Sequence, residues 1–270
     1  MKIALAQIAC AWGDIPGNLN KIERFSRQAR SRGAGLIAFP ELTVSGIFKH
    51  PDVKRIAEPA DGPSVRRVAG LARSLEMYIG FGFSEKAEPL PRNAYCIADP
   101  RGRIVALYRK NYIPRLEVPF WQGGKEHPVF QVAGKRLAIA ICWDATQEEL
   151  LQYYARNRAE IVLMPHAWDS DPLDPEGREL NYNSMQELIA LAEAGKLAGW
   201  KSHAEMKKYF YSYIPVYARK YRFAAWFVNQ AGRPHECLKF VGPAFVTDRQ
   251  GRILAETRND REGLIFADIR

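Results

Sequence analysis

Three apolar runs of this sequence end in residues that β-strands rarely carry at their ends: "GLIAFPE" in Glu41, "RIVALYRK" in Lys110 and "RLAIAIC" in Cys142. A carboxylate, an ammonium and a thiol together suit acyl transfer. A free thiol has a reference pKa of about 8.5 and needs a base or a cation nearby to become the attacking thiolate. In that chemistry Glu41 takes the proton from Cys142, passes it to a departing amine and later activates water. Lys110 lowers the thiol pKa and stabilises the oxyanion of the tetrahedral intermediate. The backbone N–H of Trp143 is a natural second oxyanion donor, and losing one such donor typically costs about a hundred- to a thousandfold in rate. Each residue alone has a plainer reading as a packed thiol, a helix-start carboxylate or a solvated lysine.

Something must bring the three together. Short β-type runs recur along the chain, among them "KIALAQI", "MYIGFGF", "AYCIADP", "AEIVLMP", "FAAWFVNQ" and "GLIFADI". Helical patterns over residues 18–31, 64–74 and 146–157 lie between several of them. Strands alternating with helices predict an α/β layered fold with apolar runs buried on both faces. "ADPRGRIVA" and "VTDRQGRILA" each place Asp and then Gly between two apolar runs, as hairpins demand, so hairpins and crossovers coexist and the sheets are expected to be mixed. In such sheets the ligand crevice lies beyond the carboxyl ends of the strands. If the three strands neighbour one another, Glu41, Lys110 and Cys142 converge there.

At 270 residues, one large domain over 1–270 is expected. Residues 169–222 interrupt the strand pattern with a polar, Pro- and Gly-punctuated loop and two helical patterns, the second broken at Pro215. This excursion is aromatic and basic, and is expected to shape the pocket as a lid for an anionic or aromatic substrate while its last helix packs between subunits. The composition, 47% hydrophobic and 26% charged, is that of a soluble globular protein, and no apolar run reaches membrane-spanning length. Gln7 and Asp14 break the N-terminal apolar stretch, which argues against a signal peptide. Cys10, Cys96, Cys142 and Cys237 lack close C-x-x-C pairing and read as reduced thiols of a cytoplasmic protein. The net charge of +9 is scattered and no nucleic-acid motif accompanies it, so it reads as a solvated surface.

"AFPELTVSG", "YRKNYIP" and "ICWDATQEE", in that order, resemble the three catalytic blocks of the nitrilase superfamily of carbon-nitrogen hydrolases. "GDIPGNLNKI", "AEIVLMPHAW", "FVNQAG" and "GPAFVTDRQGRILAE" extend the likeness over nearly the whole chain. The resemblance implies a four-layer α-β-β-α sandwich with two mixed sheets, paired into homodimers or higher homo-oligomers. It implies a Glu-Lys-Cys triad without metal or organic cofactor, with Glu41 as base, Lys110 as transition-state stabiliser and Cys142 as nucleophile. Many members carry a second glutamate after the lysine block, and "EVPFWQGG" offers Glu117.

Asp144 after Cys-Trp tilts the family reading toward amide or carbamoyl substrates over nitriles, and is expected at the substrate. Trp168 and His166 in "MPHAW" are expected to line the pocket, Trp168 as an apolar wall. The function so read is hydrolysis of a non-peptide C–N bond in a small linear amide or N-carbamoyl compound, releasing ammonia or amine. A nitrilase is the alternative within enzymes. A non-catalytic, partner-binding protein of the same fold is the alternative outside them. "TQEELLQ" departs from the aromatic-Pro-Glu step and the arginine common in relatives, which weakens substrate inference from them.

Overall fold

The computed structural model describes residues 1–47, 52–235 and 237–269. In chain order the elements are β1 (Lys2–Gln7), α1 (Ile15–Ser31), β2 (Leu36–Ala38), α2 (Val53–Ile56), α3 (Pro63–Leu75), β3 (Tyr78–Glu85), β4 (Arg92–Ala98) and β5 (Ile104–Arg109). Then come β6 (Val129–Val132), β7 (Lys135–Ile139), a 3₁₀ turn (Cys142–Thr146), α4 (Glu148–Arg156) and β8 (Ile161–Pro165). The excursion holds β9 (Pro172–Leu173), α5 (Met185–Glu193), β10 (Gly199–Trp200), α6 (His203–Tyr211) and α7 (Ile214–Tyr221). The chain closes with β11 (Ala224–Val228), β12 (Ala231–His235), β13 (Leu238–Val241), β14 (Ala244–Thr247), β15 (Ile253–Glu256) and β16 (Gly263–Asp268).

Two six-stranded mixed sheets result, in the orders β16-β1-β2-β3-β4-β5 and β15-β14-β11-β8-β7-β6. Each has three parallel strands, β1-β2-β3 and β7-β8-β11, flanked by antiparallel ones. The alternation within strands explains the layering. In β1, Ile3 and Leu5 face the second sheet, whereas Ala4 and Ala6 pack toward α1 and α3 with Ile22, Phe25, Val65 and Val68. In β8, Leu163 joins the layer between the sheets with Trp226 and Val228, while Val162 and Met164 pack toward α4, α6 and α7 with Leu151, Phe210 and Ile214. Both faces of each sheet are therefore covered, which is why these strands read as continuous apolar runs and not as alternating ones. Each fully buried Leu, Ile or Phe contributes about 1.5–3 kcal/mol. The layers are α-β-β-α, as expected.

Local chemistry sets the boundaries. Asp14 caps α1 by accepting from Gly17 N, so the helix starts three residues before the periodic pattern suggests. The two Asp-x-x-Gly-Arg turns are hairpins: Asp99 accepts from the backbone N–H groups of Arg101 and Arg103, and Asp248 from those of Gln250 and Arg252. In the excursion, α6 and α7 are separated just before Pro215, and the expected absence of strands is corrected by the short antiparallel pair β9–β10. Two residues each are too few to signal a strand in sequence. Among the described residues, no helix is long and apolar enough to cross a membrane.

Candidate active site

Glu41, Lys110 and Cys142 follow β2, β5 and β7 at one end of the sandwich. The expectation that their strands neighbour one another needs correction. β2 and β5 are separated by β3 and β4 in the first sheet, and β7 belongs to the second, so the residues converge across the layer between the sheets. Lys110 Nζ lies 2.9 Å from Glu41 Oε1 and 2.9 Å from Glu117 Oε2, and none of the three side chains is more than 5% exposed. The second glutamate thus joins the first.

Glu41 is held from four sides. Its Oε1 also accepts from Asn93 Nδ2 at 2.6 Å, its Oε2 from the backbone N–H of Ala167 at 2.6 Å, and its carbonyl from Gln230 Nε2 at 2.9 Å. The turn carrying it passes directly over Gly82, where a Cβ would collide with the backbone of Glu41 and Leu42. Asn93, Gln230 and the Ala167 amide all hold Glu41, and sequence reasoning missed them. The polar start of the otherwise apolar run "NAYCIA" and the "NQ" ending "AAWFVNQ" were the available signals.

Cys142 opens the 3₁₀ turn with φ of 49°, a left-handed conformation that costs an L-residue about 1–2 kcal/mol. At this sharp elbow Cys142 is 5% exposed and borders a cavity of about 170 Å³ lined also by Leu116, Glu117, Trp143, Ala167, Trp168, Asp169, Asp171 and Tyr182. A larger cleft of about 560 Å³, lined by Lys135, Glu160, Arg249 and Arg252 among others, lies at the opposite end of the sheets and holds none of these groups.

Electrostatics assigns protonation states. Burial pushes the Cys142 thiol well above its ordinary value and the negative Glu41 adds to this; Lys110 opposes them and is outweighed. Lys110 does lower the thiol pKa, in the expected direction, but burial and Glu41 outweigh it, so the sulfur is held as S–H and needs a base. Burial also raises Glu41, partly offset by Lys110 and reinforced by Glu117, which makes this carboxylate a stronger proton acceptor than an ordinary one. Burial alone would lower Lys110, but Glu117 and Glu41 outweigh it and hold the ammonium charged.

The remaining expected pocket residues divide. The Trp168 ring meets Trp143 at 5.6 Å, Tyr209 at 5.6 Å and Phe210 at 5.6 Å, forming an aromatic wall beside the thiol. His166 and Asp144 are fully buried and do not line the cavity. His166 Nδ1 contacts the Met164 carbonyl at 2.9 Å, its ring lies 4.2 Å from Phe227, and burial lowers its pKa to about 3, so it is a neutral packing residue. Asp144 turns inward, with its oxygens taken by Tyr108, Ile141, Asn111 and Tyr112. The excursion supplies Asp169, Asp171 and Tyr182 to the cavity, and Lys201 is paired with Asp171 at 2.9 Å and with Glu179. Among the described residues, no group of three or more His, Cys, Asp or Glu side chains is arranged to hold a metal ion.

A sequence model of carbon-nitrogen hydrolases matches residues 2–270. The chain is 26% identical over 276 residues to N-carbamoylputrescine amidase of Arabidopsis thaliana, covering 99% of this chain and 85% of that protein. It is 26% identical over 269 residues to "Probable nitrilase C965.09" of Schizosaccharomyces pombe, covering 97% and 86%. An amidase from Nesterenkonia sp. has the same fold, with a TM-score of 0.77 at 23% identity over 100% of this chain and 90% of that one. Other structures of that amidase carry acrylamide, or the acetamide moiety of fluoroacetamide, added covalently at its active-site cysteine. With a family match over residues 2–270 and the Glu41, Lys110 and Cys142 positions at one end of the matching sandwich, this chain belongs to the carbon-nitrogen hydrolase family of the nitrilase superfamily.

Proposed function

We propose that the protein hydrolyses the C–N bond of a small linear amide or N-carbamoyl compound through an acyl-Cys142 intermediate. The observation that carries this reading is Lys110 held at 2.9 Å from both Glu41 and Glu117 beside a thiol that opens onto a cavity. Glu41 accepts the thiol proton as Sγ attacks the substrate carbonyl. The C=O electron pair moves to oxygen, where Lys110 Nζ and the Trp143 backbone N–H stabilise it. Collapse expels the nitrogen leaving group, which takes the proton from Glu41. Water then attacks the thioester, Glu41 takes its proton, and the carboxylic or carbamic acid leaves as Cys142 recovers S–H. Glu117 keeps Lys110 charged and fixed in place.

Substrate size and charge follow from the walls. A cavity of about 170 Å³ is below the roughly 300–1,000 Å³ of sites for drug-sized ligands, so the substrate is small. The faces of Trp143 and Trp168 support a neutral substrate or one bearing an ammonium group at its far end. Similarity to a carbamoylputrescine amidase, whose named substrate carries such a group, supports the same choice. A homodimer remains part of the proposal, with half-exposed Tyr153 and Val216 on α4 and α7 as apolar contact surface, and light scattering tests it. The decisive assay is ammonia release from a matched panel of amides, N-carbamoyl amines and nitriles with neutral, cationic and anionic ends. Activity on amide or carbamoyl members, lost in Cys142→Ala, is expected. Preference for a nitrile over its amide would replace the substrate assignment, and equal activity of wild type and Cys142→Ala would end the mechanism.

A further inference from the structure

Asp144 lies two residues past the nucleophile, is fully buried, and has no access to substrate. Its carboxylate accepts four hydrogen bonds, all from groups next to the two central catalytic side chains. Oδ1 accepts from the backbone N–H groups of Asn111 at 3.2 Å and Tyr112 at 2.9 Å, the two residues after Lys110. Oδ2 accepts from the backbone N–H of Ile141 at 3.0 Å, the residue before Cys142, and from the Tyr108 hydroxyl at 2.8 Å, two residues before Lys110. The Tyr108 oxygen in turn accepts from Asn111 Nδ2 at 2.8 Å.

Lys110 arrives on the first sheet and Cys142 on the second, and no strand pairing joins β5 to β7. Their relative position therefore depends on contacts across the layer between sheets. We propose that Asp144 is a positioning residue that clips the Lys110 segment to the Cys142 elbow, fixing the distance between the attacking sulfur and the cation that stabilises the oxyanion. The clip also restrains the left-handed Cys142 backbone, because the Ile141 N–H it holds directly precedes that residue. Only an acceptor-rich group fills this role. In its ionised form the carboxylate has about four lone-pair sites and no donor, matching the four donors; burial raises its pKa to about 7, and the hydrogen bonds from Tyr112, Tyr108 and Ile141 act against that rise. An asparagine would set an N–H₂ group against two of them. This deepens the acyl-cysteine reading and rests on it.

The test is Asp144→Asn, nearly isosteric, with steady-state kinetics on the preferred substrate and the melting temperature of the same preparation. A displacement of about 1 Å between reacting groups can cost about a hundredfold in rate. The expected result is a kcat lower by about tenfold to a hundredfold with KM almost unchanged and the fold retained. Wild-type kcat, whatever the melting temperature does, overturns the proposal, and so does a raised KM with unchanged kcat, which would mark a substrate contact. Tyr108→Phe decides the matter if Asp144→Asn does not fold: a several-fold loss of kcat at wild-type melting temperature supports the clip, and unchanged kcat overturns it. Retention of activity by Cys142→Ala in the same series would instead sink the underlying mechanism, so the two failures are distinguishable.

Discussion

Glu117→Gln separates two roles for the second glutamate, support of Lys110 and contact with substrate. Its Oε2 lies 2.9 Å from Lys110 Nζ, in a position 4% exposed beside a lysine that is 0% exposed. Glutamine keeps an acceptor at that point but removes the charge. Hydrogen bonds to charged groups contribute about 1.5–3 kcal/mol against about 1 kcal/mol for neutral ones. The difference, about 0.5–2 kcal/mol, corresponds to roughly a two- to thirtyfold loss of rate if it is expressed in the transition state. A second consequence acts in the same direction. The Glu117 charge helps raise Glu41, so removing it makes the general base weaker. Protonated Glu41 cannot accept the thiol proton, so activity falls as pH drops through the Glu41 pKa, and in Glu117→Gln that acid limb moves to lower pH. Initial rates of ammonia release across a pH series measure both effects. A kcat within about twofold of wild type with an unmoved acid limb, or a raised KM alone, would refute the reasoning.

Asn93→Ala removes the 2.6 Å bond to Glu41 Oε1 and is expected to lower kcat about tenfold with little change in KM, as read from initial rates. Gly82→Ala forces a methyl against the Glu41–Leu42 backbone, and is expected to cost about 1–3 kcal/mol of stability and most of the activity, as thermal melting and rates would show. Trp168→Ala opens the aromatic wall beside Cys142, so KM for the smallest accepted amide should rise while bulkier amides become substrates in the same panel.

The sandwich was legible because its chemistry is repetitive. Runs such as "KIALAQI" and "AEIVLMP" are apolar throughout since sheet and helices cover both faces, and the Asp99 and Asp248 turns announce their hairpins through side-chain acceptance of local N–H groups. Glu41, Lys110 and Cys142 stood out as charge or sulfur ending apolar runs. Which sheet each run joins was not legible, because strand order depends on pairings between distant segments. For the same reason Asp144 and His166 were expected at the substrate. Adjacency to Cys142 or Trp168 in sequence says nothing about direction, and the left-handed Cys142 elbow turns Asp144 back toward Tyr108 and the residues after Lys110. The pairing of Lys201 with Asp171 and Glu179 in the excursion was not legible either, because it joins segments that are distant in sequence.

The central claim is the covalent intermediate on Cys142. Intact-protein mass spectrometry after rapid acid quench, with the preferred amide present in excess, tests it most directly. The account predicts a population heavier by the substrate's acyl or carbamoyl group, mapped to Cys142 by peptide analysis and absent in Cys142→Ala. Turnover by wild type together with the added mass on another residue, or an equal adduct in Cys142→Ala, would contradict it.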